Sequence, residues 1–412
     1  MPEPPEDEPT ASAPANGPAG AVDPPEPADD AEERGRLAAV LAARRDTLHR
    51  LEERGIPAFA LNFDKDADAA DIVREFAGLE PEEETDQVRR VAGRIVLLRR
   101  HGGVVFVTIR DRSGDLQLFC SRNAMPTGSW TLLDDLDLGD IVGAVGPVVK
   151  TKRGEVSVKP AEVTLLTKSL RPPPEKWAGI RDPELKVRRR YLQLFAEPEF
   201  RRVVTARAKV LSTMRMVLDG EGFVEVETPV LQVTHGGALA APFVTHHNVL
   251  DIDLYLRIAP ELYLKRLLVG GLERVYEIGR NFRNEGIDRD HNPEFTMLEF
   301  YLAYGDYGDM MDLSERLVTQ SAMATLGTLT FDYLGREMDL TPPWPRRTVL
   351  ELVSEAVGEE VTLDRPDLVQ LAERHGVTPQ DGWGPGHVVW ELYEELVEDT
   401  LWRPTFVKDV PQ

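Results

Sequence analysis

One stretch of this 412-residue sequence concentrates groups able to hold a charged small molecule: RVYEIGRNFRNEGIDRDHNPEFTMLEFY, residues 274–301. The guanidinium fork of Arg283 suits a phosphate or a carboxylate, and the carboxylate of Glu285, two residues on, can accept from an amino group. Downstream, FTMLEFY has the alternation of a strand. That puts Phe295, Met297, Glu299 and Tyr301 on one face and Thr296, Leu298 and Phe300 on the other. A carboxylate and a phenol between apolar neighbours are costly to bury unless they meet a cationic ligand. A salt-bridged surface hairpin would account for the same charges without a ligand. Single residues elsewhere say less. Glu261 falls in a helical run, PELYLKRLL, where a partly exposed acid is ordinary, and Gly236-Gly237 has the look of a turn. His246 and His247 are adjacent, and adjacent strand residues point to opposite faces, so no metal is expected there.

The elements that must position these groups follow from periodicity. VYEIGRNF and FTMLEFY form a hairpin with a long charged loop, and Arg283 and Glu285 are expected to share a face where the first strand runs into that loop. FVEVETPVL is expected to be a strand closed by Pro229, residues 199–219 a helix, and 366–376 and 387–401 further helices. Long helices mixed with strands predict an α+β domain over 196–412. Before it, 87–168 is a run of short strands: VAGRIVLLRR, GVVFVTIRDRSGDLQLFC, DIVGAVGPVVKT and GEVSVKPAEVTLLT. Turns at Ser113-Gly114-Asp115 and Arg153-Gly154-Glu155 separate them. Five or so strands in that length suit a small closed β-barrel of the oligonucleotide-binding kind. Phe106, Thr108 and Arg110 share a face of VVFVTIRD, an aromatic beside polar groups as base stacking requires, although plain barrel surface looks the same.

Flanking these, 34–80 is a helical arm. Leu37, Leu41, Leu48 and Leu51 make its stripe, and Arg36, Arg44, Arg45, Arg50 and Arg54 lie on its other faces. It is either a solvated docked helix or a basic arm for RNA phosphates. Residues 1–33 hold ten acids, nine prolines and no Lys or Arg, a composition that predicts a disordered tail. A hinge is expected over 169–195, around Arg171-Pro172-Pro173-Pro174. The net charge of −23 argues against non-specific nucleic-acid binding, so RNA contact would need local basic faces. MPEPPEDEPT lacks the features of a secretory signal, no run is apolar enough to span a membrane, and the one cysteine, Cys120, forms no intrachain disulfide. A reducing cytoplasm is the expected compartment.

With these residues in place, a family resemblance can be stated. FRNEGIDRDHNPEFTMLEFY resembles motif 2 of class II aminoacyl-tRNA synthetases in the form seen in lysine enzymes. GFVEVETPVL resembles motif 1, the family's dimer segment, and GGALAAPFVTHHNVLDIDLYLRIAPELYLKRLLVGG the stretch between them. The similarity runs from about 87 to 407, and APELYLKRL and HNPEFTMLEFY favour lysine over the related aspartate and asparagine enzymes. It implies ATP-dependent activation of lysine and transfer to tRNA(Lys), with Mg²⁺, in a homodimer. Arg283 would hold the α-phosphate of ATP and the amino-acid carboxylate. Glu285 would bind the adenine amino group, Phe295 stack on the ring and His291 reach the terminal phosphates. Glu299 and Tyr301 would bind the ε-ammonium of lysine, and Glu261 with the backbone of Gly237 its α-amino group. In the barrel, Phe106, Gln117 and Glu155 match anticodon-reading positions.

Family members continue past a segment like RPTFVKDVP into strands of the central sheet, the metal-binding acids and motif 3. The resemblance thus implies a catalytic domain incomplete at Gln412. Ala241 stands where GGASARPF has Arg, and Gln193 where RYLDL is usual. Three readings follow: an active ligase, a catalytically impaired paralogue that binds tRNA or lysine, and an enzyme that moves lysine to a protein or lipid. The barrel and the lack of a span count against the third.

Overall fold

The computed structural model describes residues 31–173 and 182–411, and the chain divides into two compact units between Glu197 and Pro198. The expected acidic tail lies outside the described residues as far as position 30.

In the first unit, α1 (Ala31–Glu53) and α2 (Ala69–Glu75) precede the barrel. The α1 stripe faces inward only at its C-terminal end. Leu51 is fully buried and Leu48 packs on the barrel core, whereas Leu37 is 45% exposed. Arg44, expected on an outer face, is instead buried. Its Nη1 donates to the carbonyls of Ser169 (2.7 Å) and Arg171 (3.1 Å) and its Nη2 to that of Leu138 (3.0 Å). A guanidinium fork can serve several carbonyls that have no strand partner, and here it ties helix to barrel. Arg50 and Arg54 both meet Asp135.

The barrel is built from β1 (Glu84–His101), β2 (Val104–Arg110), β3 (Asp115–Ser121), β4 (Ile141–Lys150) and β5 (Val156–Val158), with α3 (Thr127–Leu132) between β3 and β4. Strand order is β1-β2-β3-β5-β4, and β4 returns to pair with β1. The eighteen residues of β1 serve two neighbours, β4 through Glu84–Arg94 and β2 through Arg94–His101, and the register shift between Ile95 and Leu97 supplies the bend. GEVSVKPAEVTLLT divides at Lys159-Pro160-Ala161 into β5 and β6 (Glu162–Thr167), which pairs with β4. Val105, Val107, Ile109, Leu118 and Cys120 fill the interior, and burial pushes the Cys120 thiol up to about 12. Within the expected hinge, Pro174 falls outside the described residues, and 182–196 holds α4 (Pro183–Arg188) and α5 (Arg190–Ala196).

The second unit begins with α6 (Pro198–Gly220), followed by β7 (Val224–Glu225), β8 (Leu231–Gln232), β9 (Val244–His247) and β10 (Ile252–Leu256). FVEVETPVL is therefore not one strand. After β7 the backbone makes one more bond, Val226 N to Tyr276 O at 2.9 Å, and then turns at Thr228-Pro229, where proline has no N–H to extend a ladder. Next come α7 (Glu261–Val269), β11 (Arg274–Phe282), β12 (Glu294–Leu302) and α8 (Tyr307–Leu326). β11 and β12 form the expected hairpin in unbroken register, Arg274↔Leu302 to Phe282↔Glu294, and β7 lies parallel beside β11. One face of this sheet is apolar: Tyr276, Ile278, Leu298, Phe300 and Leu302 pack with Val217 and Leu218 of α6 and Leu313 and Leu317 of α8. Strand alternation turns Glu277, Gly279, Asn281, Phe295, Met297, Glu299 and Tyr301 to the opposite face.

Beyond the hairpin β13 (Thr330–Tyr333) and β14 (Arg336–Asp339), the strand β15 (Arg346–Thr348) pairs parallel with β16 (Phe406–Lys408). Between them α9 (Val349–Val357), α10 (Leu368–Arg374) and α11 (Pro385–Leu396) enclose a core of their own around Val353, Leu371, Val389 and Leu392. The helix expected over 387–401 starts earlier and ends at Leu396, leaving Glu398–Thr400 as a separate 3₁₀ turn.

Candidate active site

The face of β11 and β12 turned away from α6 and α8 gathers charge. Glu299 lies directly across from Glu277, and like charges in that register repel. Burial raises the Glu299 carboxyl above its usual range. Glu261 and Glu277 push the same way, against the Tyr301 hydroxyl, which donates to Glu299 Oε2 at 3.1 Å, and against the charge of Arg257. The Tyr301 phenol is itself raised by burial and by Glu299, so it stays protonated. Glu261 opens α7, where a first-turn acid suits the helix dipole, and accepts from Lys265 at 2.6 Å. Gly237, at φ +89°, lies against that turn, and a Cβ there would come 2.8 Å from Glu261 Cβ. Only glycine lets the backbone approach so closely. Glu299 and Tyr301 lie on this face, Glu261 on the helix beside it, and Gly237 in the loop packed against that helix's first turn.

Arg283 and Glu285 do not share a strand face, because β11 ends at Phe282. The backbone folds back at once: Arg283 N donates to Pro293 O at 2.9 Å and Asn284 N to Ala241 O at 2.8 Å. This leaves the Arg283 guanidinium 5.2 Å above the Phe295 ring, its Nε buried and without a partner among the described residues. A buried N–H with no acceptor among the described residues, beside a half-buried aromatic ring, fits a ligand that offers an anionic oxygen next to a flat base. Glu285 and His291 are exposed on the loop. His291 Nδ1 sits 2.8 Å from Asp288, whose carboxyl is held low by the backbone of Asp290 and by this imidazole.

Sequence reasoning missed the buried framework behind these groups. Arg257 is 2% exposed and pairs with Glu277, which is 4% exposed. Its Nε donates to Arg280 O at 2.9 Å and its Nη1 to Thr228 Oγ1 at 3.2 Å, while the Thr228 hydroxyl donates to Glu277 Oε2 at 2.6 Å. Arg257 stands just past the end of β10 and Glu277 on the polar face of β11, so strand alternation carries no signal for either. His246 and His247 do diverge. His246 meets Asp253 at 2.9 Å, and His247 Nδ1 accepts from Leu250 N at 3.2 Å. Among the described residues no group of three or more His, Cys, Asp or Glu is arranged to hold a metal.

On the barrel, Phe106 stacks on Phe119 across the β2–β3 pair, with ring centroids 5.5 Å apart, and Arg99 lies over it at 5.8 Å. Gln117 is 3% exposed. It accepts from Arg99 at 3.1 Å and donates to Ser157 Oγ at 2.9 Å, so its amide is already engaged. Glu155 is exposed at the rim of a cleft of about 400 Å³ that Thr108, Gln117 and Lys150 also line. The three expected anticodon positions are thus neighbours on one side of the barrel.

Comparison with known proteins agrees with both units. Residues 90–166 match the OB-fold nucleic acid binding domain, and residues 182–412 match tRNA synthetases class II (D, K and N). A lysine–tRNA ligase from Pelotomaculum thermopropionicum is 46% identical over 378 residues, covering 90% of this chain and 73% of its own. Those from Carboxydothermus hydrogenoformans and Moorella thermoacetica are 45% and 47% identical, over 92% and 90% of this chain and 77% and 76% of their own. No helix among the described residues is long and apolar enough to cross a membrane. With an OB barrel, the motif 2 hairpin and identity of this order across nearly the whole sequence, the chain belongs to the class II aminoacyl-tRNA synthetases, in the lysine–tRNA ligase family.

Proposed function

We propose that the chain joins lysine to ATP as an aminoacyl-adenylate and passes the lysyl group to tRNA(Lys). The observation that carries this reading is Glu299. It is a half-buried carboxylate with a tyrosine donor and, among the described residues, no cation of its own, on the strand face that also carries Phe295 beneath Arg283. A diamino acid supplies the missing charge. Glu299 and Tyr301 hold the ε-ammonium, and Glu261 with the Gly237 backbone holds the α-amino group. This leaves the carboxylate free to reach Arg283.

Arg283 then faces two anions at once, the lysine carboxylate and the α-phosphate, and draws them together. The carboxylate oxygen forms its bond to the α-phosphorus as the bond to pyrophosphate breaks. No general base is needed, since the attacking carboxylate is already ionised at neutral pH. Phe295 stacks on adenine, Glu285 accepts from its amino group, and His291 on the charged loop reaches the terminal phosphates. Mg²⁺ arriving with the triphosphate would supply further neutralisation of phosphate charge. Phe106, with Arg99 above it, gives the barrel a stacking platform for an anticodon base, with Gln117 and Glu155 beside it. Val203, Val204 and Met216, apolar and exposed on α6 next to the motif 1 resemblance, support a homodimer, and a reducing cytoplasm suits the single thiol.

The test is ATP–pyrophosphate exchange by the purified full chain. Exchange that depends on lysine supports the proposal; binding of lysine with no exchange would reduce the chain to a binding module.

A further inference from the structure

Three carboxylates converge on the proposed ammonium pocket, yet among the described residues only one lacks a cation. Glu261, at the start of α7, is paired with Lys265. Glu277, on β11, is paired with Arg257. Glu299, on β12, has only the neutral Tyr301 hydroxyl, on its own strand. These are the charged and titratable groups that bear on Glu299 from the elements around it, with Arg257 reaching in from the end of β10.

We propose that Arg257 is a positioning residue for substrate recognition: it occupies Glu277 completely, so that Glu299 alone is left to receive a cationic side chain. This deepens the reading of Glu299 given above and rests on it. The geometry is specific. One guanidinium reaches Arg280 O, both oxygens of Thr228 and Glu277, while Thr228 N and Oγ1 cover the second oxygen of Glu277 at 3.2 and 2.6 Å. Neither oxygen of Glu277 remains for a ligand. Gly279 completes the arrangement, because a Cβ at that position would overlap Arg257 Nη2. The residue between Glu277 and Asn281 on this face must therefore be small for the fork to lie flat against β11. Without Arg257, Glu277 and Glu299 face each other across a strand pair with nothing between them. They then compete for one proton and for the same ammonium, and lysine no longer has a single seat.

The experiment is lysine binding to the full chain by calorimetry from pH 5 to 9, for the parent, Arg257→Met, Gly279→Ala and the double variant Arg257→Met with Glu277→Gln. Arg257→Met is expected to bind lysine at least tenfold more weakly at pH 7, and to lose binding on the acid side at a higher pH than the parent. Adding Glu277→Gln is expected to bring that acid limb back towards the parent's, a reversal that a merely structural role would not produce. Arg257→Met leaves a buried acid unpaired and could fail to fold. Gly279→Ala keeps every charge and only displaces the fork, and is expected to weaken lysine binding at least threefold with ATP binding unchanged. Parent-like affinity and acid limb in folded Arg257→Met, or parent-like lysine affinity in Gly279→Ala, would overturn the proposal. A parent chain that binds no lysine at all would instead overturn the assignment of Glu299 beneath it.

Discussion

At the scale of single residues, Glu299 carries two opposed consequences. Its carboxyl is raised in the folded chain, chiefly by burial. A raised acid binds its proton more tightly when folded than when unfolded. Its contribution to stability is therefore complete below the unfolded value and is lost as pH rises through the folded one. Glu299→Gln is expected to remove that loss: the variant should melt higher than the parent at neutral pH and no higher at pH 4, as calorimetric melting would show. The same substitution should abolish measurable lysine affinity, and an unchanged Kd would refute the role assigned to Glu299. The alternation of FTMLEFY was enough to put Phe295, Glu299 and Tyr301 on one face, because a strand leaves no other choice. Arg257 was not legible, since its charge is satisfied by Glu277 and the Arg280 carbonyl on β11 and by Thr228 in the turn after β7. Arg283 and Glu285 were misjudged because a strand end depends on which carbonyls are nearby, here those of Ala241 and Pro293.

Among the elements, the hairpin of β11 and β12 and helix α6 follow from periodicity alone, whereas α8 has no counterpart among the expected helices. FVEVETPVL looked like a strand because β-branched residues alternate in it, but its partner ladder on β11 covers only Val224 and Glu225. Helix starts are better encoded. Thr348 and Glu351 form a reciprocal cap on α9, as Asp306 and Asp309 do on α8. Thr348→Ala should cost about 1 kcal/mol, read as a lowered denaturation midpoint for the second unit. The barrel strand β2 offers a separate check. Phe106 lies outside the barrel core, stacked between Phe119 and Arg99, so Phe106→Ala should leave folding nearly intact. Loss of one stacking platform is expected to weaken tRNA affinity by about 1–3 kcal/mol, or roughly fivefold to a hundredfold, in filter binding. Unchanged affinity would remove the barrel from the proposed anticodon site.

For the whole molecule, the chain divides into two compact units between Glu197 and Pro198. What composition could not convey is how α1 is fastened. Its leucine stripe predicted an apolar dock, yet Arg44 and the Arg50–Arg54–Asp135 cluster do much of that work through polar contacts from segments 81 and more residues away. Since each unit encloses its own apolar cluster, the two are expected to melt at separable midpoints, which differential scanning would resolve. The buried sulfhydryl of Cys120 adds a tag for one of them. With a single such group per chain, placed on the inner wall of the barrel, a thiol reagent such as DTNB should find nothing to modify in the native protein and one equivalent after urea. Any labelling that accumulates on prolonged native incubation then counts how often the barrel opens, a clock for the unit that holds this sulfur.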